Sequence, residues 1–209
     1  MIVVDKFYGI DTEKQERIIN AALKEFARSG YEKASTNEIV READISKGSL
    51  FHYFNSKKEL YLFLLDYAAT VIEKIYEEVD WNETDLFERM KQLGVVKFKV
   101  YKQHPHAFDF LNAASKETSS EVKADIEKMS NEAISAGMEK SLANIDLTKF
   151  RKDMDLEKMM NIISLTILGL AEQQRKKVTA FEEVALEDLD VFDDYFSLLK
   201  KCFYREEEQ

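Results

Sequence analysis

Apolar positions recur at spacings of three and four along most of the chain, the period of an α-helix that lays one face on a core. Ile18, Ile19, Ala22, Leu23 and Phe26 form the first stripe and predict a helix over about 13–29, which Ser29-Gly30 ends. Ile39, Val40 and Ala43 predict a short helix over about 36–43. A tight turn at Asp44-Ile45 follows, then a second short helix over about 47–53 with Ser46 as its N-cap. Leu60, Leu64, Ala68, Val71, Ile75 and Val79 carry a long helix from near Ser56 to about Val79. Beyond Trp81-Asn82, helices are expected over about 84–103, 105–114, 119–143, 155–178 and 187–204, with Asn144–Asp153 as a loop.

Helix starts are marked as well. A hydroxyl followed three residues later by Glu or Gln satisfies two orphan backbone N–H groups reciprocally. The pattern occurs at Thr12/Gln15, Ser35/Glu38, Ser56/Glu59, Thr118/Glu121 and Thr179/Glu182. Pro105 needs no N–H partner and suits a first helical position.

Composition sharpens this into an all-α expectation. The chain has 209 residues but only 1 Pro and 6 Gly, too few turn residues for an all-β fold. That length fits one or two domains. The single cysteine, Cys202, excludes an internal disulfide framework and a cysteine zinc cluster. The start, Met-Ile-Val-Val-Asp-Lys, does not read as a signal peptide, because its apolar stretch stops at Asp5. The uncharged run Met159–Ala171, 13 residues, is too short to span a bilayer, so no membrane partner and a cytoplasmic location are expected. Net charge is −10, yet residues 1–60 balance 10 Lys/Arg against 10 Asp/Glu. An acidic total argues against non-specific coating of nucleic acid and leaves room for a small DNA-reading segment at the neutral end.

Residues 36–54 supply such a segment. Two helices too short to stand alone must be held by the helices that flank them. Short helix, tight turn and short helix make a helix-turn-helix, whose second helix can enter a major groove. In Ser46-Lys47-Gly48-Ser49-Leu50-Phe51-His52-Tyr53-Phe54, Leu50 and Phe54 share a face and plug the core. Lys47, Ser49, His52 and Tyr53 are then expected to face outward, with Gly48 permitting close backbone approach. A small helical core with incidental aromatics is the competing account.

Residues 16–67 resemble the DNA-binding domain of the TetR-type (tetracycline-repressor-like) bacterial transcription regulators. Ala21-Ala22, Phe26, Gly30-Tyr31, Ser35-Thr36, Ile39-Val40, the run Ala43–Phe54, Lys57 and Leu60 carry the likeness. The resemblance implies an N-terminal three-helix helix-turn-helix domain over 1–56 and a C-terminal helical ligand-binding and dimerisation domain over 57–209. It implies phosphate contacts from Thr36, His52, Tyr53 and Lys57, polar contacts from Ser46 and Ser49, and base or backbone contacts from Lys47 and Gly48. Phe51 stands where the family usually has a tyrosine, so its contact is apolar, to a thymine methyl for example. Asp44 replaces a common turn glycine, and aspartate tolerates left-handed geometry.

The helix over 155–178 is apolar nearly all round. The last helix carries two stripes, Leu189/Phe192/Phe196/Leu199/Phe203 and Val191/Tyr195/Leu198/Cys202. One stripe covers the chain's own core and the other needs a partner. A homodimer face from Ile163, Ile167, Leu170, Phe192, Phe196, Leu199 and Phe203 is the economical expectation, a larger monomer core the alternative. Two-fold symmetry suits a palindromic double-stranded operator with half-sites roughly 34–36 Å apart or a multiple of that.

Phe63, Tyr67, Phe98, Tyr101, Phe108, Phe110, Met129 and Met138 are candidates for an adaptable apolar pocket, against ordinary core packing for each. No cofactor and no metal site is expected: Pro105 separates His104 from His106, and Cys202 reads as buried packing. No phosphate loop, nucleophile elbow or HExxH sequence occurs, so catalysis is not expected. The expected function is a nucleoid-associated regulator, by family habit a repressor, released by a small apolar or amphipathic inducer. The competing function is a helical small-molecule or lipid-binding protein whose helix-turn-helix no longer reads DNA.

Overall fold

The computed structural model describes residues 6–177 and 190–206. Those residues are helical apart from loops, and no strand forms among them beyond one antiparallel bridge, Phe150 to Tyr204. The helices are α1 (Thr12–Lys33), α2 (Thr36–Glu42), α3 (Lys47–Tyr53), α4 (Lys57–Glu77), α5 (Leu86–Gln103), α6 (Pro105–Ala114), α7 (Lys123–Leu142), α8 (Leu156–Lys177) and α9 (Asp190–Phe203). A 3₁₀ turn, Leu147–Lys149, interrupts the loop expected before α8. The expected Thr179/Glu182 cap, Leu189 and the outer ends of the last two expected helices lie outside the described residues.

Local chemistry explains most boundaries. Ser35 Oγ accepts from Glu38 N–H (3.4 Å), and Ser56 Oγ from Glu59 N–H (3.1 Å), as the capping pattern expects. At α1 the cap is Asp11 rather than Thr12: its carboxylate accepts from Lys14 N–H (3.2 Å), and Gln15 donates to the Ile10 carbonyl (2.8 Å). A carboxylate one residue earlier offers a stronger acceptor than the hydroxyl. Thr118/Glu121 fails for a related reason, since the Glu117 carboxylate takes the Thr118 and Ser119 N–H groups (both 2.9 Å). Gly30 breaks α1 at φ +68°, and one more turn carries it to Lys33.

The chain packs as two compact units, one of residues 6–73 with 104–135, the other of 74–103 with 136–177 and 190–206. In the first, α1 packs along α6 and against α2. Ile18, Ala22, Leu23, Phe26, Ile39, Leu50 and Phe54 are buried there. Tyr61 meets Phe26 and Phe110 at ring distances of 5.0 and 5.1 Å. Phe7, ahead of α1 and fully buried, lies 5.1 Å from both Phe54 and Phe63.

The second unit centres on Leu86, Phe87, Phe150, Met159, Ile163, Phe196, Leu199, Phe203 and Tyr204. Asp85 pins its chain ends. It accepts from Phe87 N–H (3.0 Å), Lys149 Nζ (3.1 Å) and Tyr204 O–H (3.2 Å). Arg89, fully buried, donates to the carbonyls of Trp81 (3.3 Å) and Ser141 (3.2 Å) and to those of Glu83 and Ala143.

This packing corrects the expected dimer face. Ile163, Leu170, Phe196, Leu199 and Phe203 are buried in the subunit's own core, with Ile167 and Phe192 half-buried against it. The open stripe is the other one: Ile162, Leu165 and Leu168 on α8, and Tyr195 and Leu198 on α9. Leu165 is 69% exposed. Cys202 is exposed on the same side of α9, not buried. Space beside Gly169 is empty to at least 4 Å from where a Cβ would stand.

Candidate nucleic-acid interface

The turn between α2 and α3 is a local product of its residues. Asp44 adopts φ +52°, which replaces glycine at the cost of some strain. Ile45 N–H closes the turn on the Val40 carbonyl (3.0 Å). Ser46 caps α3, its Oγ accepting from Ser49 N–H (3.0 Å) and bonded to Ser49 Oγ (2.9 Å). Both serines are thus partly engaged in building the helix start. From α1, Arg17 Nε reaches the Ala43 carbonyl (3.3 Å) and steadies the turn.

Glu25 holds α2 against α1. It is buried, and its carboxylate accepts from Ser35 N–H (2.9 Å) and Ser29 O–H (3.1 Å) while Arg28 pairs with it. Burial pushes its pKa up, but the Ser35 N–H, the Ser29 hydroxyl and Arg28 outweigh that and leave it lowered.

α3 presents two faces. Leu50 and Phe54 are sunk in the core as expected. Ser46, Lys47, Gly48, Phe51 and His52 are exposed, and Thr36 and Ser49 half-buried. No carboxylate among the described residues pairs with Lys47, whereas Arg41 is held by Glu38 and Lys24 by Glu42 (3.1 Å). Lys47 is therefore a free cation beside a glycine at the start of α3, suited to a phosphate or a base edge.

Tyr53 departs from expectation. Only 8% exposed, its ring packs edge-on against Phe7 at 5.9 Å, and its hydroxyl accepts from Lys14 Nζ (3.4 Å). The exposed-face reading omitted the N-terminal arm, whose Phe7 covers that side of α3. Lys57 is half-buried and engaged: its Nζ donates to the Glu32 carbonyl (3.0 Å) and lies 4.8 Å from the Tyr31 ring centre.

Sequence reasoning missed Lys14, Phe7, Glu25 and a clasp at the end of α1. Tyr31 N–H donates to Glu117 (2.7 Å), and Tyr31 O–H to Glu121 (2.5 Å). Burial and that bond to Glu121 push the Tyr31 pKa up to about 12. Glu117 also crowds Gly30, where an added Cβ would meet its carboxylate at 3.1 Å. No local pattern could reveal partners 86 and 90 residues apart.

The eight pocket candidates are divided between the two units, Phe63, Tyr67, Phe108, Phe110 and Met129 in the first and Phe98, Tyr101 and Met138 in the second. Phe63, Phe108 and Phe110 are buried side chains of the first unit. Phe63 belongs to the Phe7/Phe54 cluster and Phe110 to the Phe26/Tyr61 cluster. Phe63 and Phe110 are core rather than pocket lining, because aromatic neighbours already fill their surroundings. Tyr67 and Met129 are half-buried, and Met138 is 47% exposed. Phe98 and Tyr101 are half-buried neighbours on α5. Among the described residues no group of three His, Cys, Asp or Glu could hold a metal, and no helix is long and apolar enough to cross a membrane.

Comparison with known proteins places this geometry. The family profile described as bacterial regulatory proteins, tetR family, matches residues 18–63. An uncharacterized HTH-type transcriptional regulator of Bacillus subtilis, YuxN, is 49% identical over 55 residues, 26% of this chain and 19% of that protein. The HTH-type transcriptional regulator QacR of Staphylococcus aureus is 30% identical over 90 residues, 43% of each chain. The chain thus spans less than half the length of these relatives. A TetR family transcriptional regulator from Chloroflexus aurantiacus shares the fold, with a TM-score of 0.65 at 20% identity, over 97% of this chain and 98% of that one. The helix-turn-helix of this chain, capped by Ser35 and Ser46 and exposing Lys47, lies within the segment that matches the bacterial regulatory proteins of the tetR family.

Proposed function

We propose that the protein is a ligand-responsive repressor that binds a palindromic operator as a homodimer in the cytoplasm, at the nucleoid, and is released by a small apolar or amphipathic molecule. Residues 1–56 read DNA in this account, and residues 57–209 bind the ligand and dimerise. The observation that carries it is the division of α3: Leu50, Tyr53 and Phe54 inward, and Lys47, Gly48, Phe51 and His52 outward, with no carboxylate on the lysine among the described residues. Ser46, Ser49 and Thr36 add polar contacts at the rim, and Lys57 can swing from the α1 carbonyls to a phosphate. The open apolar stripe of α8 and α9 supports the dimer, since exposed patches of this kind mark interfaces.

A ligand regulates such a dimer only if it binds two spacings of the recognition helices with different affinity. The test is selection of fragments from a random duplex pool by wild type and a Lys47→Ala/His52→Ala protein, across a salt series. Wild type is expected to enrich a palindrome. The double variant is expected to lose that enrichment, with its salt slope reduced by about 1 for each phosphate contact removed. Failure of wild type to enrich any sequence at low salt refutes the proposal.

A further inference from the structure

A cation from another helix stands beside the last turn of α3. Lys14, in the first turn of α1, donates from Nζ to the Tyr53 hydroxyl (3.4 Å) and lies 5.7 Å from the centre of that ring. Tyr53 is itself fixed: its buried ring packs against Phe7 at 5.9 Å and against the His52 ring at 5.7 Å. The lysine is half-buried, and its ammonium meets no carboxylate among the described residues. A hydroxyl orients an ammonium without neutralising it, and leaves two of its three N–H donors for another acceptor.

The acids nearest to it in sequence do not take those donors. Asp11 caps α1 through the Lys14 backbone N–H (3.2 Å), and Glu13 pairs with Arg17 (3.2 Å). Glu16, two positions on, is turned away by the helical period. Lys47 starts α3 and Lys14 stands at its end, so a helix of 7 residues, about 10 Å long, has a cation at both ends. That length fits a major groove about 12 Å wide, whose two rims are rows of phosphates. Lys14 comes from α1 and not from α3, which puts it beside the groove-entering helix, where backbone lies rather than base edges.

We infer that Lys14 binds a backbone phosphate of duplex DNA, and that Tyr53 positions it. The ammonium meets the phosphate, while the Tyr53 hydroxyl holds the side chain in place, so little rotamer freedom is lost on binding. A lysine meets phosphate as a point charge and reads no base, so Lys14 adds affinity without specificity. It precedes residues 18–63, which match the family profile, so the tetR likeness assigns it no role. The inference rests on the regulator reading for its partner, duplex DNA.

The test titrates the full chain with an enriched palindrome and with a scrambled duplex of the same length, across a salt series, thermal melts confirming that each variant is folded. The variants are Lys14→Gln, Lys14→Arg, Tyr53→Phe and Lys24→Gln, the last removing the same charge from a lysine that Glu42 already holds. One phosphate contact contributes about 0.9 to the log–log salt slope. Lys14→Gln is expected to lower the slope by about that much per subunit. It should weaken both duplexes alike, by about fivefold to tenfold per subunit at about 0.1 M salt. Lys14→Arg should keep the wild-type slope. Tyr53→Phe should weaken binding by a smaller factor, and by nothing further once Lys14 is glutamine. Lys24→Gln should keep the slope. A Lys14→Gln protein with the wild-type slope overturns the inference and leaves the regulator reading intact. So does a loss confined to the palindrome, or an equal loss in Lys24→Gln. If wild type enriches no sequence yet binds duplex with a slope that Lys14→Gln lowers, the regulator reading fails and the phosphate contact stands. Wild type that binds neither duplex overturns both.

Discussion

Lys47 and Tyr53 open and close one helix of 7 residues, yet they do different work. Lys47 is exposed and pairs with no carboxylate among the described residues, so Lys47→Ala should leave stability within about 0.5 kcal/mol and act on DNA affinity alone. Tyr53 is buried against Phe7, so Tyr53→Ala should cost about 3 kcal/mol through the cavity it leaves. Tyr53→Phe keeps the ring and loses only the bond from Lys14, and should cost about 1 kcal/mol. Urea unfolding and fluorescence anisotropy on an enriched operator separate the two roles. Weakened DNA binding by Tyr53→Ala at unchanged stability would contradict the burial argument. The sequence marked both residues as polar and within reach of DNA. It could not show that Phe7, 46 positions earlier, occupies the tyrosine's side of the helix.

At the scale of elements, a buried and a half-buried carboxylate tie helices that the chain separates. Glu25 joins α1 to the start of α2, and Glu117 joins the α6–α7 connection to the end of α1. Both have pKa values below the ordinary 4.5, in each case because hydrogen bonds from backbone N–H groups overcome the upward push of burial. A lowered folded-state pKa stabilises the fold above pH 4.5, and that contribution is lost as pH falls through the lowered value. Glu25→Gln should therefore destabilise the protein at pH 7 by about 1–3 kcal/mol. It should also flatten the fall in thermal midpoint between about pH 5 and pH 3. A variant whose midpoint falls as steeply as wild type would show that Glu25 gives the folded state no charge-dependent stability. Capping patterns located the starts of α2 and α4, but a carboxylate one position upstream displaced the expected hydroxyl at Asp11 and at Glu117. Sequence spacing alone does not rank competing acceptors.

For the whole molecule, the proposed dimer would use the apolar stripe that the subunit leaves open. Leu165→Glu places a charge on the open face and should leave the subunit folded but monomeric. Phe196→Ala removes a side chain from the subunit's own core, where it packs 5.9 Å from Phe87, and should cost about 3–5 kcal/mol without selecting for monomer. Sedimentation velocity with parallel thermal melts checks both. A dimeric Leu165→Glu protein would refute the assignment of the face. Loss of the dimer by Leu165→Glu should also weaken operator binding, because each subunit then reads one half-site alone.

The sequence by itself determined the all-helical fold, most helix ends, the helix-turn-helix and its tetR likeness. Each of these rests on contacts within a few residues: the 3.6 period, a cap three positions away, a turn residue that tolerates positive φ. Tertiary structure decided which of two equally apolar stripes on α9 faces inward, since Phe196 and Leu198 differ in burial and not in hydrophobicity. It also decided that Phe63 and Phe110 are core. These outcomes depend on which distant residue arrives at a given face, and helical periodicity names the face without naming what meets it.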